Sequence, residues 1–91
     1  AARKVIEDGG YGEYFIHRLG HGVGLQGHER PYIVQGNGLE LEAGMTFTIE
    51  PGIYIVGEVG VRVEDTVVCT AGGCERLTRL SRELTSYPIK D

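Results

Sequence analysis

The residue types able to do chemistry fall in two groups. His17, His21 and His28 lie within twelve residues, threaded with glycines at 20, 22, 24 and 27. Each could be a hydrogen-bonded core or surface histidine, but three in one short window point to a shared task. A helical His-x3-His zinc device does not fit, because the glycines make residues 17–25 a poor helix and no glutamate follows His17. In an extended strand His17 and His21 share one face. The second group is Glu50 and Glu64. Glu50 closes an alternation of Met45, Phe47 and Ile49 against Thr46, Thr48 and Glu50; Glu64 lies in another, with Arg62, Glu64 and Thr66 opposed to Val61, Val63 and Val67. If these strands pair antiparallel about a turn centred near Gly57, position 50 falls opposite position 64. Two ionised carboxylates so placed repel and require a cation or a shared proton. Arg62, on the same face, could supply that charge in a purely structural ion network. A metal is the other answer, since one neutral imidazole with two carboxylates is a mixed nitrogen and oxygen set suited to Mn, Fe, Co or Zn. Three ligands are too few for two ions, and Asp8, Asp65 and Asp91 form no spaced pair that would complete them.

The elements that must position these groups are short. Ala2, Val5 and Ile6 share a helical face over residues 2–8, and Gly9-Gly10 supplies a left-handed stop. Over residues 14–25, glycines interrupt an apolar series, predicting extended backbone that something approaches closely. Residues 29–40 hold Pro31, Gly36, Asn37 and Gly38 without a sustained period and read as a loop. Pro51-Gly52 bends or ends the first strand, and residues 60–68 read as one continuous second strand. Leu77, Leu80 and Leu84 suggest a short amphipathic segment ending before Pro88. No linker or repeat appears, so the chain reads as one structural unit, of the α+β class.

Composition narrows the function. Nine Lys+Arg against thirteen Asp+Glu give a net charge of −4, which disfavours a phosphate-binding surface and hence nucleic acid. No apolar run approaches the roughly 18–20 residues that span a bilayer, and no signal-like segment follows Ala1, so no membrane is expected and the cytoplasm is the default location. A chain of 91 residues buries only about 60–70% of its unfolded surface. Cys69 and Cys74 are too few for a disulfide scaffold or a four-thiolate zinc site; across a tight hairpin they could face each other, as reduced structural thiols. The opening residues look like the last turns of a helix, the expectation for a fragment or a processed chain.

Three segments taken together resemble a known family. They are His17-Arg18-Leu19-Gly20-His21-Gly22-Val23-Gly24-Leu25 with His28-Glu29-x-Pro31, then Gly44-Met45-x-Phe47-Thr48-Ile49-Glu50-Pro51-Gly52, then Gly60-Val61-Arg62-Val63-Glu64-Asp65-Thr66. In order and spacing, from about residue 10 to residue 84, they resemble the C-terminal part of Xaa-Pro dipeptidases (prolidases) and Xaa-Pro aminopeptidases. These are pita-bread-fold metallopeptidases related to methionine aminopeptidase and creatinase. The Gly-Val-Arg-Val-Glu-Asp-Thr run is more similar to the proline-peptidase branch than to methionine aminopeptidase.

The resemblance implies a curved antiparallel sheet with short flanking helices, residues 1–91 forming the C-terminal portion of a single catalytic domain. It implies His21, Glu50 and Glu64 as metal ligands, Glu64 bridging two divalent ions (Mn, Co, Fe or Zn, with Mn favoured). It further implies His28 as the group that steadies the substrate carbonyl and tetrahedral intermediate, His17 as a catalytic and substrate-pocket histidine, Arg62 as an arginine beside the metal site that helps bind substrate, and Glu50 as the residue relaying a proton. The glycines at 20–24 would leave room for ions and substrate. The family's two remaining ligands are aspartates that lie upstream, so the isolated chain is expected to be inactive and to depend on the missing half of its domain or to self-associate, as in a homodimer. The implied activity of the intact protein is metal-dependent hydrolysis of the Xaa-Pro bond of dipeptides or short peptides. Two rivals are a non-catalytic binding module on the same fold and a creatinase-like hydrolase that works without metal.

Overall fold

The computed structural model describes residues 1–84 and 86, so Pro88 and Asp91 lie outside the described part. One helix, α1 (Ala2–Asp8), is followed by a 3-10 turn at Gly12–Tyr14 and seven strands: β1 (Gly20–Gly22), β2 (Glu29–Ile33), β3 (Thr46–Ile49), β4 (Gly52–Ile55), β5 (Val59–Arg62), β6 (Asp65–Thr70) and β7 (Gly73–Arg76). Five of them form a sheet in the order β2-β1-β3-β6-β7, and β4 pairs with β5 alone. Every pairing is antiparallel. The α+β class stands, with a single α-helix among the described residues rather than several.

Helix α1 ends as its sequence predicts. The Gly10 amide donates to the Glu7 carbonyl and the Tyr11 amide to the Ile6 carbonyl, while Gly10 takes a φ of 90°. That double bond is the Schellman arrangement, which satisfies the last carbonyls of the helix and favours a residue without a Cβ.

The expected hairpin about Gly57 forms, with φ +79° at Gly57. Gly52 pairs with Arg62 and Ile55 with Val59; further out, Ile49 pairs with Asp65 and Thr46 with Val68. All these pairs are equidistant from Gly57, so one register runs from β3–β6 into β4–β5, and positions 50 and 64 face each other within it. Residues 60–68 are not one strand, however. Pro51 has no N–H to donate, so the ladder breaks there; only the Val63 amide reaches the Pro51 carbonyl, at 3.2 Å. Both glutamates sit in this break.

Two further readings are corrected. Residues 29–33 are a strand and not loop, because β2 lies at the sheet edge, where a proline inside a strand costs no ladder bond. Residues 77–84 form no helix. Asp65 pins them instead: the Thr78 hydroxyl donates to Asp65 Oδ1 at 2.6 Å, Arg82 Nε to Oδ2 at 2.7 Å, and Arg76 Nε lies 3.1 Å from Oδ1. Arg76 also donates to the Thr78 and Leu80 carbonyls. The backbone of this strap is thus held by side chains, and Leu80 and Leu84 are left exposed.

The polar face of β3 is buried as well. Thr48 is 3% exposed, and its hydroxyl accepts from the His21 amide of β1, the neighbouring strand of the sheet. The glycines of β1 allow this approach: a Cβ on Gly20 would collide with the Thr48 carbonyl, and one on Gly22 with the Arg30 carbonyl. At both positions the close neighbour is protein backbone. The apolar core of the described residues is small, comprising Phe15, Phe47 and Val67. A radius of gyration of 15.0 Å exceeds the roughly 12 Å of a compact domain this long, and Leu25, Val56, Val59 and Val61 are exposed. No helix of the described residues is long and apolar enough to cross a membrane.

Two measurements check this account. Gly22→Ala should lower the unfolding free energy by about 3 kcal/mol, at the upper end of overpacking costs, because the obstruction is backbone; Gly38→Ala, with open space around it, should be near neutral in the same denaturant titration. The Thr78 hydrogen bond, with Arg82 and Arg76, holds Asp65 below the usual aspartate range against the opposing effect of burial. Its folded value is depressed, so its stabilisation is complete above the unfolded-state value and lost as pH falls through the folded one. Asp65→Asn should therefore lower the thermal midpoint at pH 7 and flatten its decline in acid.

Candidate metal centre

His21 enters the site on β1, a three-residue strand between β2 and β3. It is 5% exposed, and its amide donates to Thr48 Oγ1 at 3.1 Å. Its Nδ1 lies 2.9 Å from the Gly22 carbonyl. A carbonyl only accepts, so Nδ1 carries a proton, and in the neutral form of the ring Nε2 presents a lone pair. That atom faces Glu50 Oε2 at 3.5 Å.

Glu50, 8% exposed, follows β3, and its amide is fixed by the Leu19 carbonyl at 2.7 Å. Glu64, exposed, comes from the opposite side of the broken hairpin. Donor atoms of His21, Glu50 and Glu64 all lie within 4.8 Å of one another. Three groups that offer lone pairs and repel one another thus converge. Burial pushes Glu50 up, but the hydrogen bond with Glu64, another with Thr48, the positive charge that His21 carries when protonated and the charge of Arg62 outweigh it and hold Glu50 below its ordinary value. Glu64 is raised, chiefly by the hydrogen bond with Glu50, then by burial and the Glu50 charge. Of the two, Glu64 keeps its proton to higher pH and Glu50 accepts the hydrogen bond. The donor set fits a divalent cation: an imidazole nitrogen and two carboxylates at contact distance, none of them a donor once deprotonated.

The rival structural cation is present but poorly placed. Arg62 Nη1 is 3.7 Å from Glu50 Oε1, with an exposed side chain, while its Nε donates to the Tyr54 hydroxyl at 2.7 Å. Arg62 flanks the pair rather than bridging it. The His28 ring lies beside that of His21, centroids 4.3 Å apart and planes tilted by 44°, and the residue is exposed. His17 stands outside the cluster and before the strand, so it does not share a strand face with His21. Its ring packs on Phe15 and Tyr54, with centroids 5.0 and 5.6 Å away; Nδ1 donates to the Arg18 carbonyl, and buried Nε2 has no partner.

Two residues of this neighbourhood are not singled out by the sequence reading. Thr48 binds the His21 amide and the Glu50 carboxylate. Tyr54 joins His17 to Arg62, its ring lying over Gly52 and Gly60, where a Cβ would come within 3.0 Å. The available signal is the hairpin register, which sets Gly60 opposite Tyr54 and Gly52 opposite Arg62 and so clears room for a ring.

Comparison with known proteins agrees with this geometry. Residues 1–71 match the model of metallopeptidase family M24. The chain is 58% identical to the Xaa-Pro dipeptidase of Lactobacillus delbrueckii subsp. lactis over 90 residues, 99% of this chain and 24% of that protein. Among solved structures it is similar to dipeptidase PepE from Mycobacterium ulcerans, with a TM-score of 0.92, 53% identity, and coverage of 96% of this chain and 24% of that one. It is also similar to the prolidase from Pyrococcus furiosus, with a TM-score of 0.84, 56% identity, and coverage of 87% and 23%. The chain belongs to metallopeptidase family M24, and its sheet is part of the pita-bread fold. It spans about a quarter of the length of these relatives.

The carboxylate pair carries its own check. In metal-free protein, a carboxyl-carbon NMR titration should find Glu64 protonated above the ordinary glutamate range and Glu50 below it. Glu50→Gln should return Glu64 toward its ordinary value. A raised folded value destabilises as pH rises through it, so the substitution should make stability less dependent on pH just above the usual glutamate range.

Proposed function

We propose that the intact protein hydrolyses the Xaa-Pro bond of dipeptides or short peptides, and that residues 1–91 are the C-terminal portion of its catalytic domain. The observation that carries this reading is the convergence of His21 Nε2 with the Glu50 and Glu64 carboxylates, in a chain 58% identical to an Xaa-Pro dipeptidase. In this reading His21, Glu50 and Glu64 would hold divalent cations, with manganese favoured and Glu64 as the ligand they would share. Bound there, such ions supply Lewis acidity and make water acidic enough to ionise near neutral pH.

The chain's own residues do the rest. Glu50, which is buried and keeps its charge, takes up the proton of the attacking water on its carboxylate and passes it to the departing proline nitrogen. His28, beside His21 and exposed, donates a hydrogen bond to the oxygen that gains charge as the carbonyl becomes tetrahedral. His17 offers the unpartnered Nε2 to substrate, and Tyr54 holds its ring. Arg62, tied to Tyr54, keeps positive charge beside Glu50 and faces the peptide. This donor set supports a metal-dependent hydrolase over a bare binding module or a metal-free creatinase-like enzyme.

A centre of two ions needs more oxygen ligands than these three residues provide. Together with the exposed apolar side chains, this supports dependence on the rest of the domain or on a second copy, as in a homodimer, and little activity for the isolated chain. A cytoplasmic location is part of the same proposal.

In the full-length protein, His21→Ala and Glu64→Gln should each lower divalent-metal affinity by about 100-fold or more and reduce Xaa-Pro dipeptide hydrolysis in parallel. Metal loading should release protons, more just above the ordinary glutamate range than at neutral pH, because Glu64 keeps its proton to higher pH than a free glutamate; calorimetry in buffers of different ionisation enthalpy reads this. Full metal affinity in both variants, or hydrolysis of creatine in place of Xaa-Pro dipeptides, overturns the proposal.

A further inference from the structure

The β6–β7 hairpin carries chemistry unrelated to the metal site. Cys69 and Cys74 are direct cross-strand partners, one pair inward from the Thr70–Gly73 closure of the turn. Both are free thiols, Cys69 half-buried and Cys74 exposed. The backbone of Cys69 is turned away from its partner: its amide donates to the Met45 carbonyl, and its carbonyl accepts from the Gly44 amide, each at 2.8 Å. In an antiparallel ladder a residue points both groups to the same side. Cys69 and Cys74 are therefore a non-hydrogen-bonded pair, the type in which opposed Cα atoms lie about 4.5 Å apart and side chains come closest. That separation falls within the roughly 4.4–6.8 Å spanned by disulfides, at its short end. The Cys69 thiol makes only a weak hydrogen bond, 3.8 Å long, to the Thr70 carbonyl, so nothing strong holds it from its partner.

We infer that Cys69 and Cys74 are a redox modification site, forming a reversible cross-strand disulfide by exchange with a low-molecular-weight disulfide such as oxidised glutathione. The exposed Cys74 thiolate attacks one glutathione sulfur, forming a mixed disulfide and releasing one glutathione thiolate. The Cys69 thiolate then attacks the Cys74 sulfur, breaking the mixed bond and releasing the second. The two cysteine protons pass to the released thiolates, and two electrons pass from the cysteines to glutathione. Exposure and a span at the short end of the range make the bond easy to reduce, the property of regulatory rather than structural disulfides. The bond staples the edge strand β7 to β6, the strand that follows Glu64.

Both cysteines fall between Arg62 and Arg76 with no basic residue between them, so trypsin releases them in one peptide, residues 63–76. The full-length protein is equilibrated in glutathione buffers of graded ratio, acid-quenched, alkylated, digested and weighed. The expected result is conversion from a doubly alkylated peptide to one lighter than the unalkylated form by two hydrogens, reversed by excess reduced glutathione. Cys69→Ser should accumulate a stable glutathione adduct on Cys74 that the parent does not. A peptide doubly alkylated at every ratio, glutathione on both cysteines, or an adduct equally stable in parent and variant overturns the inference.

Discussion

The site depends on the mutual repulsion of groups with the same polarity. Glu50 and Glu64 are brought face to face, with the lone pair of His21 aimed at them, and this arrangement persists only if something positive lies between. In the protein alone a proton held by Glu64 serves. A divalent ion serves better, because it satisfies all three donors at once. The surrounding fold can be understood as what holds such an unfavourable arrangement together: a break in the hairpin ladder at Pro51 that frees both glutamates from regular pairing, within a register that keeps them opposed.

Holding it also requires covering it. A polar strand face carrying Thr48 and Glu50 would ordinarily lie in water. Here β1 runs directly alongside β3 in the sheet, and the two glycines flanking His21 let backbone meet backbone on either side. His21 is then tied at its amide by Thr48 and at its ring by its own strand, which sets the tautomer and leaves one free direction for its lone pair. On the open side, Tyr54 links Arg62 to His17, so the cation beside Glu50 and the unpartnered imidazole belong to one connected set. Asp65, next to Glu64, gathers Thr78, Arg76 and Arg82 and anchors the strap that follows β7.

The sequence was most legible where periodicity was strict. The two alternating runs about Gly57 predict the register, and with it the meeting of positions 50 and 64; the tight turn at residues 70–73 separately sets Cys69 opposite Cys74. It was least legible where side chains replace regular backbone pairing. The leucines at 77, 80 and 84 have helical spacing, yet Arg76 and Asp65 capture that segment first. Pro31 marks residues 29–33 as loop, yet a sheet edge tolerates it. Tyr54 and Thr48 leave little trace because their roles depend on what lies across the sheet.

Residue types and hairpin symmetry alone determined that two carboxylates would meet and need a cation, since alternation and turn position are local properties of the chain. Which histidine joins them is a different matter. His17, His21 and His28 are equivalent by type and close in sequence; only the pairing of β1 with β3, which brings Gly22 beside Phe47 across more than twenty intervening residues, puts the His21 lone pair there, His28 against it and His17 outside. That choice rests on long-range packing, where backbone contacts exclude a side chain on either side of His21.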